Sequence, residues 1–369
     1  MLDVRSVRHF NYALLALALL ASFTGLIMVH SASSPSHGLS PLLIRQMVWL
    51  VLGLGIVVFM LYFDYEFLKG IAWPIYVANL ILLLVVLIPG LGQGRGGAQR
   101  WLVLGPFNFQ PSELAKLFVI ITLATLLASH GENVAQIKVV WRSFLHISPF
   151  LLLVFVQPDL STSLVFISIW FGMMIAAGAR WHHLLLFFLA GALLFFFAWH
   201  FNLIRPHQKQ RVQVLLQPEE GKNEAAYQSR QSMIAIGSGQ LYGKGFRKGT
   251  QSRLNFVPEQ STDFVLTVVG EEWGFLGICI LLAIYAGIIL LALNIAAHAR
   301  DLFGALIATG ILSVFVFHVF VNVGMVTGLL PVAGLPLPFV SYGGSNLLLN
   351  MISIGLLSSI RMRRHKIRF

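Results

Sequence analysis

Ten apolar runs separated by polar joints govern what this chain can fold into. They fall at about 11–30, 44–63, 71–89, 112–129, 144–157, 161–179, 183–203, 264–293, 303–330 and 339–360. A helix crosses the hydrocarbon core of a bilayer with about 20 apolar residues, and only 144–157 is clearly short of that. Inside lipid every backbone polar group must be satisfied within the segment, which makes such runs helical. The expected fold is an all-α polytopic membrane protein of about ten transmembrane helices. A single membrane domain over 1–369 suffices, with one long loop, 204–262, between helices 7 and 8.

Composition agrees. Charged residues make up 11% of the 369 and mean hydropathy is +0.81, against about 25% charged residues in soluble domains. The formal charge of +11 could indicate nucleic acid, but no basic soluble module accompanies it. Cytoplasmic cation bias and anionic lipid explain it more simply, so membrane lipid is the expected partner and nucleic acid is not. Met1–Phe10 is polar and basic, and Asn11–Val29 can itself span, so no cleavable leader is read here. The single Cys279 lies in an apolar run, which allows no disulfide within the chain and predicts a core position.

Ten spans put both termini on one side. Arg5, Arg8, Lys69, Lys138, Arg142, Arg180, Arg300, Arg361, Arg363, Arg364, Lys366 and Arg368 then share that side, which identifies it as cytoplasmic. Four informative segments fall outside: the glycine-rich loop 90–111, the turn Gln157-Pro158-Asp159, the loop 204–262 and the proline–glycine loop 329–344. Asp263 falls there too, so any chemistry is expected on the outer face. The loop 204–262 is far longer than ordinary connections. Its apolar groups, Val212–Leu216 and Met233–Leu241, predict short helices lying on the membrane surface. It carries nine Lys and Arg against four Glu, a cationic surface suited to an anion.

Asp263 closes that loop and opens the eighth span. A carboxylate at the mouth of a membrane helix contributes little to a fold but suits a proton acceptor or an ion ligand. Glu271 and Glu272 follow. Along a straight helix Glu271 sits about 12 Å from Asp263 and turns nearer its face than Glu272, so Glu271 is the one expected to see the same cavity. Glu113 and Lys116, three apart on the fourth span, either neutralise one another or line a polar cavity. Arg100 and Trp101 read as an interface anchor, or as a phosphate contact beside an aromatic platform for sugar. Gly237–Gly245 brings backbone amides close to an anion, with Lys244 and Lys248 adding charge, although the spacing is not that of a P-loop. Asp159 reads as a helix cap. Three prolines and three glycines between Leu330 and Gly344 form a stiff, re-entrant-like turn. The histidines show no HExxH or zinc spacing.

Taken jointly, several motifs resemble the SEDS family (shape, elongation, division and sporulation). They are Gly97-Ala98-Gln99-Arg100-Trp101, Phe109-Gln110-Pro111-Ser112-Glu113, Gln157-Pro158-Asp159-Leu160, Ala235-Ile236-Gly237-Ser238-Gly239, Gly243-Lys244-Gly245, Gly249-Thr250-Gln251-Ser252, Pro258-Glu259 with Thr262-Asp263-Phe264, and Pro336-Leu337-Pro338 with Ser341-Tyr342-Gly343-Gly344-Ser345. The resemblance runs over nearly the whole chain. It implies a peptidoglycan glycosyltransferase that polymerises lipid II outside the inner membrane, beside a class B penicillin-binding protein. The short tails resemble elongation-type members, serving rod shape, more than division-type ones. The family's essential aspartate carries over to Asp263, as general base or as ligand of a divalent cation, Mg2+ or Mn2+; no organic cofactor is implied. Arg100, Trp101, Glu113, Lys116, Arg211, Lys244, Lys248 and Ser341 are the expected substrate contacts. A lipid II flippase would instead need cavities opening alternately to both sides, and a non-catalytic scaffold would leave Asp263 without a purpose.

Overall fold

The computed structural model describes residues 10–33, 39–88, 92–95, 98–104, 107–201, 204, 208–209, 211, 224–254 and 256–364. Each apolar run contains one helix: α1 Tyr12–Ala32, α2 Pro41–Tyr62, then, after the short α3 Phe67–Gly70, α4 Ala72–Val85. There follow α5 Pro111–His130, α6 Ile137–Val156, α7 Leu160–Ala176 and α8 Trp181–His200. After the long loop come α9 Glu224–Gly239, the single turn α10 Thr250–Arg253, α11 Val265–Ala297, α12 Leu302–Val326 and α13 Gly344–Met362. Seven of these helices are long and apolar enough to cross a membrane, and α4 and α7 are shorter apolar helices. α13 carries Asn346, Asn350 and four serines and is more polar. The run 144–157 proves to be the second half of the 20-residue α6, which continues through Pro149.

The helices begin where local chemistry allows. Ser40 caps α2 through Leu43 N at 3.1 Å, with Pro41 in the first turn. Asp159 caps α7 through Thr162 N at 3.2 Å, as its position predicted. Pro111 starts α5, where its missing N–H would have had no partner. α12 is the central helix, packed on α5, α7 and α11, while α13 lies along α2. The rim is lipid-like: α8 buries only Leu184 among its twenty residues, and Phe187 rests on Trp141, Phe144 and Trp170.

Two findings depart from the sequence reading. The segment 90–111 is a three-stranded antiparallel meander, β1 Gly92–Arg95, β2 Ala98–Leu104 and β3 Phe107–Phe109, with Leu102 opposite both Gly92 and Phe109. Its apolar stretches are too short to read as spans, and the glycines around them read as loop. Cys279 is exposed, because an apolar face in a membrane protein can be solvated by lipid instead of by other side chains. Of the two surface helices expected in 204–262, Met233–Leu241 falls mostly within α9, whereas Val212–Leu216 lies outside the described residues.

α11 is broken. Gly274 adopts φ 69° and ψ −163°, a region open in practice only to glycine. Groups freed by the break are taken by the preceding loop: Phe275 N and Leu276 N donate to the carbonyls of Gln240 and Leu241, and Lys244 N and Gly245 N donate to those of Glu271 and Glu272. Irregular backbone at this depth is tolerated because such partners exist.

Candidate active site

All four segments expected on the outer face meet at one end of the bundle, around a chamber of about 350 Å3. Its lining includes Arg100 and Trp101 from β2, Asp159 and Thr162 from the start of α7, Glu259, Thr262 and Asp263 from the end of the long loop, and Gly334–Pro336 with Tyr342–Asn346 from the proline loop and α13. Glu113 enters from the first turn of α5, and Arg45 and Trp49 from α2. Five helices, α2, α5, α7, α11 and α13, therefore begin at this chamber, and their positive dipole ends favour an anion there.

The backbone around Asp263 is fixed on both sides. Glu259 sits at φ 54°, and its carbonyl accepts from Thr262 N, Asp263 N and Phe264 N at 3.1–3.3 Å. The Asp263 carbonyl in turn accepts from Asn322 Nδ2 at 2.8 Å. Tyr342 N donates to Ser261 O at 2.8 Å, tying the proline loop to the same turn. Burial pushes the Asp263 carboxyl up to about 7, reinforced by Glu259 and Asp159 and opposed by the guanidiniums of Arg211 and Arg100. That value suits a base working near neutrality.

The remaining expected contacts divide. Arg100, Trp101 and Glu113 line the chamber. Arg100 also braces the α6–α7 turn, donating to the carbonyls of Gln157 and Pro158 and pairing with Asp159 at 3.8 Å. Arg211 acts on Asp263 electrostatically without lining the chamber. Lys116 is 1% exposed behind the wall, 2.7 Å from Glu113 Oε1, so the pair is mutual and only Glu113 reaches the chamber. Ser341 is buried, its Oγ accepting from Leu337 N at 2.9 Å; the hydroxyl shapes the proline turn and does not line the chamber.

Lys244 and Lys248 also stand off the lining. Lys244 Nζ is 2.8 Å from Glu271 Oε1. Glu271 further accepts from Gln251 N at 2.9 Å and from Ser252 N and Oγ at 3.0 and 2.8 Å. The Glu271 carboxylate is thus held by amides of α10 and by Lys244, while the amides of Lys244 and Gly245 go to the Glu271 and Glu272 carbonyls. This corrects the expectation that Glu271 shares the Asp263 cavity: the helix turns it toward α10. Glu272 accepts from Ser31 at the end of α1. Sequence reasoning overlooked Arg45, although a lone cation inside an apolar run was itself a signal. It also left Glu259 and Tyr342 without a role.

Among the described residues no three acidic, histidine or cysteine side chains converge on one point, so no closed metal cage is built. The carboxylates of Asp263 and Glu259 fit only an open mode, in which a hard cation takes one or two carboxylates and completes its shell with substrate phosphates.

A family model described as cell cycle protein, covering FtsW, RodA and SpoVE, matches residues 11–366. The chain belongs to this family. It is 34% identical over 369 residues to the probable peptidoglycan glycosyltransferase FtsW of Geobacter metallireducens, covering 98% of this chain and 97% of the relative. It is 38% identical over 356 residues to the peptidoglycan glycosyltransferase MrdB of Escherichia coli K12, covering 96% and 94%. Among solved structures it resembles a chain of a peptidoglycan synthase complex that coordinates polymerization and crosslinking, with TM-score 0.83, 32% identity and 97% and 99% coverage. The rod-shape-determining protein RodA of Thermus thermophilus aligns with TM-score 0.72 and 30% identity, over 97% and 98% of the chains. The SEDS resemblance and the helical membrane fold both hold.

Proposed function

We propose that this family member is a peptidoglycan glycosyltransferase that polymerises lipid II, with Asp263 as general base. The observation carrying the reading is an acid held near 7 at the wall of a chamber lined also by Arg45 and Arg100 and by helix starts. An acceptor sugar hydroxyl hydrogen-bonds an Asp263 oxygen and is deprotonated as it attacks the anomeric carbon of the donor. The new glycosidic C–O bond forms while the bond from that carbon to the lipid pyrophosphate breaks, and the electron pair leaves with the pyrophosphate. Single displacement inverts an α-linked donor into a β-linked glycan. Arg100, Arg45 and Arg211, with the helix N-termini, offset the charge of the leaving group. Trp101 and Trp49 offer faces to sugar or polyprenyl. In the alternative role Asp263, with Glu259, would hold Mg2+ or Mn2+, whose charge would help to neutralise the pyrophosphate.

The surrounding assignments follow from this reading. Cationic loops opposite the chamber support a reading with both termini in the cytoplasm and the chamber outside the inner membrane. A class B penicillin-binding protein crosslinks the product, in line with the synthase complex that the fold resembles. The elongation role in rod-shape maintenance, within the elongation machinery, is in line with the likeness to the rod-shape-determining protein RodA.

The test is purified protein with its transpeptidase partner and labelled lipid II. Glycan strands from the wild type and none from Asp263→Asn support the assignment. Equal polymer from both removes Asp263 as the base, and lipid movement without polymer makes the chain a flippase.

A further inference from the structure

Behind the chamber, α12 presents two polar side chains one turn apart, His318 and Asn322, 1% and 0% exposed. Polar side chains buried in a membrane helix are expensive, so what they hold is informative. Asn322 Nδ2 spends both hydrogens on chamber walls, reaching Asp263 O at 2.8 Å and Leu335 O at 2.7 Å. The amide can sit only this way round, since Oδ1 in that place would confront two carbonyls. Its own Oδ1 is buried without a partner among the described residues. An unsatisfied oxygen costs stability, so packing alone would favour an apolar residue here.

His318 holds the adjoining residue of the same loop. Its Nε2 is 3.3 Å from Lys116 Nζ and its Nδ1 is 3.0 Å from Pro336 O. An ammonium has no lone pair, so Nε2 accepts and Nδ1–H donates to the carbonyl. Lys116 continues to Glu113 at 2.7 Å. Two links thus run behind the wall, Asp263–Asn322–Leu335 and Glu113–Lys116–His318–Pro336. Their outer members all line the chamber, and Asn322, His318 and Lys116 do not.

We infer that Asn322 and His318 are positioning residues, which from one face of α12 set where Asp263 and Glu113 stand relative to the Leu335–Pro336 wall. The inference deepens the polymerase reading and rests on it, and its test separates the two. Asn322→Leu keeps the volume and removes both donors. Because misplaced reacting groups lose rate more than ground-state binding, its kcat should fall at least about tenfold with KM within about threefold. Asn322→Asp sets an oxygen against both carbonyls and should lose at least as much; His318→Leu should behave like Asn322→Leu, more weakly. A folded Asn322→Leu enzyme with wild-type kcat, or one in which KM alone changes, overturns the proposal.

A second measurement needs no activity. With Cys279→Ser removing the sole native thiol, Asp263→Cys is modified by a membrane-impermeant methanethiosulfonate with and without Asn322→Leu. Displacement of the 263 side chain should change the modification rate at least about fivefold, as expected when a backbone anchor is lost. An unchanged rate overturns the proposal whatever the polymerisation assay gives. Wild-type protein that makes no polymer sinks the polymerase reading and leaves the thiol rate to decide this one. Should Asn322→Leu fail to fold, Asn322→Ala, which also removes both donors, carries both measurements.

Discussion

Lys244 and Glu271 face each other at 2.8 Å, with the carboxylate essentially inaccessible and the ammonium about a quarter exposed. Four further donors, from Thr250, Gln251 and Ser252, complete the Glu271 shell. Glu271→Gln turns one acceptor oxygen into a donor aimed at N–H groups. It should destabilise the protein by about 3 kcal/mol, read as a lowered melting temperature in detergent. Lys244→Gln should cost less and leave the KM for lipid II unchanged, since Lys244 lies off the chamber.

The carboxyl of Asp263 stands at about 7, so polymerisation should rise with pH through neutrality and level off above it. Stability should run the other way. The folded-state value lies above the ordinary 3.8, so folding favours the protonated form. Its contribution is complete below about pH 4 and is lost as pH rises through about 7. Asp263→Asn lacks this slope. Melting temperatures of the two proteins should diverge between about pH 5 and pH 8 in favour of the variant, and parallel curves would contradict the assignment.

The neighbours of Asp263 should move that midpoint in opposite directions. Glu259→Gln and Asp159→Asn remove negative charge and should lower it, Glu259→Gln by more. Arg211→Gln should raise it, and Arg100→Gln should raise it less. The pH dependence of kcat/KM for each variant reads this directly.

Gly334 sits at φ 71°, and a Cβ built there would lie 3.3 Å from Asp263 Oδ2. Gly334→Ala should cost about 1–2 kcal/mol through the backbone alone. Crowding of the carboxylate should lower kcat further than that loss of stability explains, a difference visible when thermal melts and rates are measured on the same preparation.

The helices were legible because a membrane span announces itself in length and hydropathy. Asp263 was legible because a carboxylate at a span's mouth has few structural uses. The bonds of Glu271 were not. Helical spacing gives the direction of a side chain, but Glu271 is claimed by α10, nineteen or so residues earlier in the chain, and no local pattern encodes that encounter. Lys244 and Lys248 misled for the same reason, since a glycine-rich basic loop looks alike whether its charge meets a ligand or the chain's own acid. The meander carrying Arg100 and Trp101 was hidden by its brevity. Arg45 was available all along as a lone charge in an apolar run.

The break at Gly274 has a consequence for engineering. Because residues 240–245 complete the hydrogen bonding of the helix across that point, loop and helix are spliced into one unit. A chimera that grafts the outer loop alone from a relative would strand bare amides and carbonyls at the break. Exchanges between members should therefore transplant 240–276 as a single cassette.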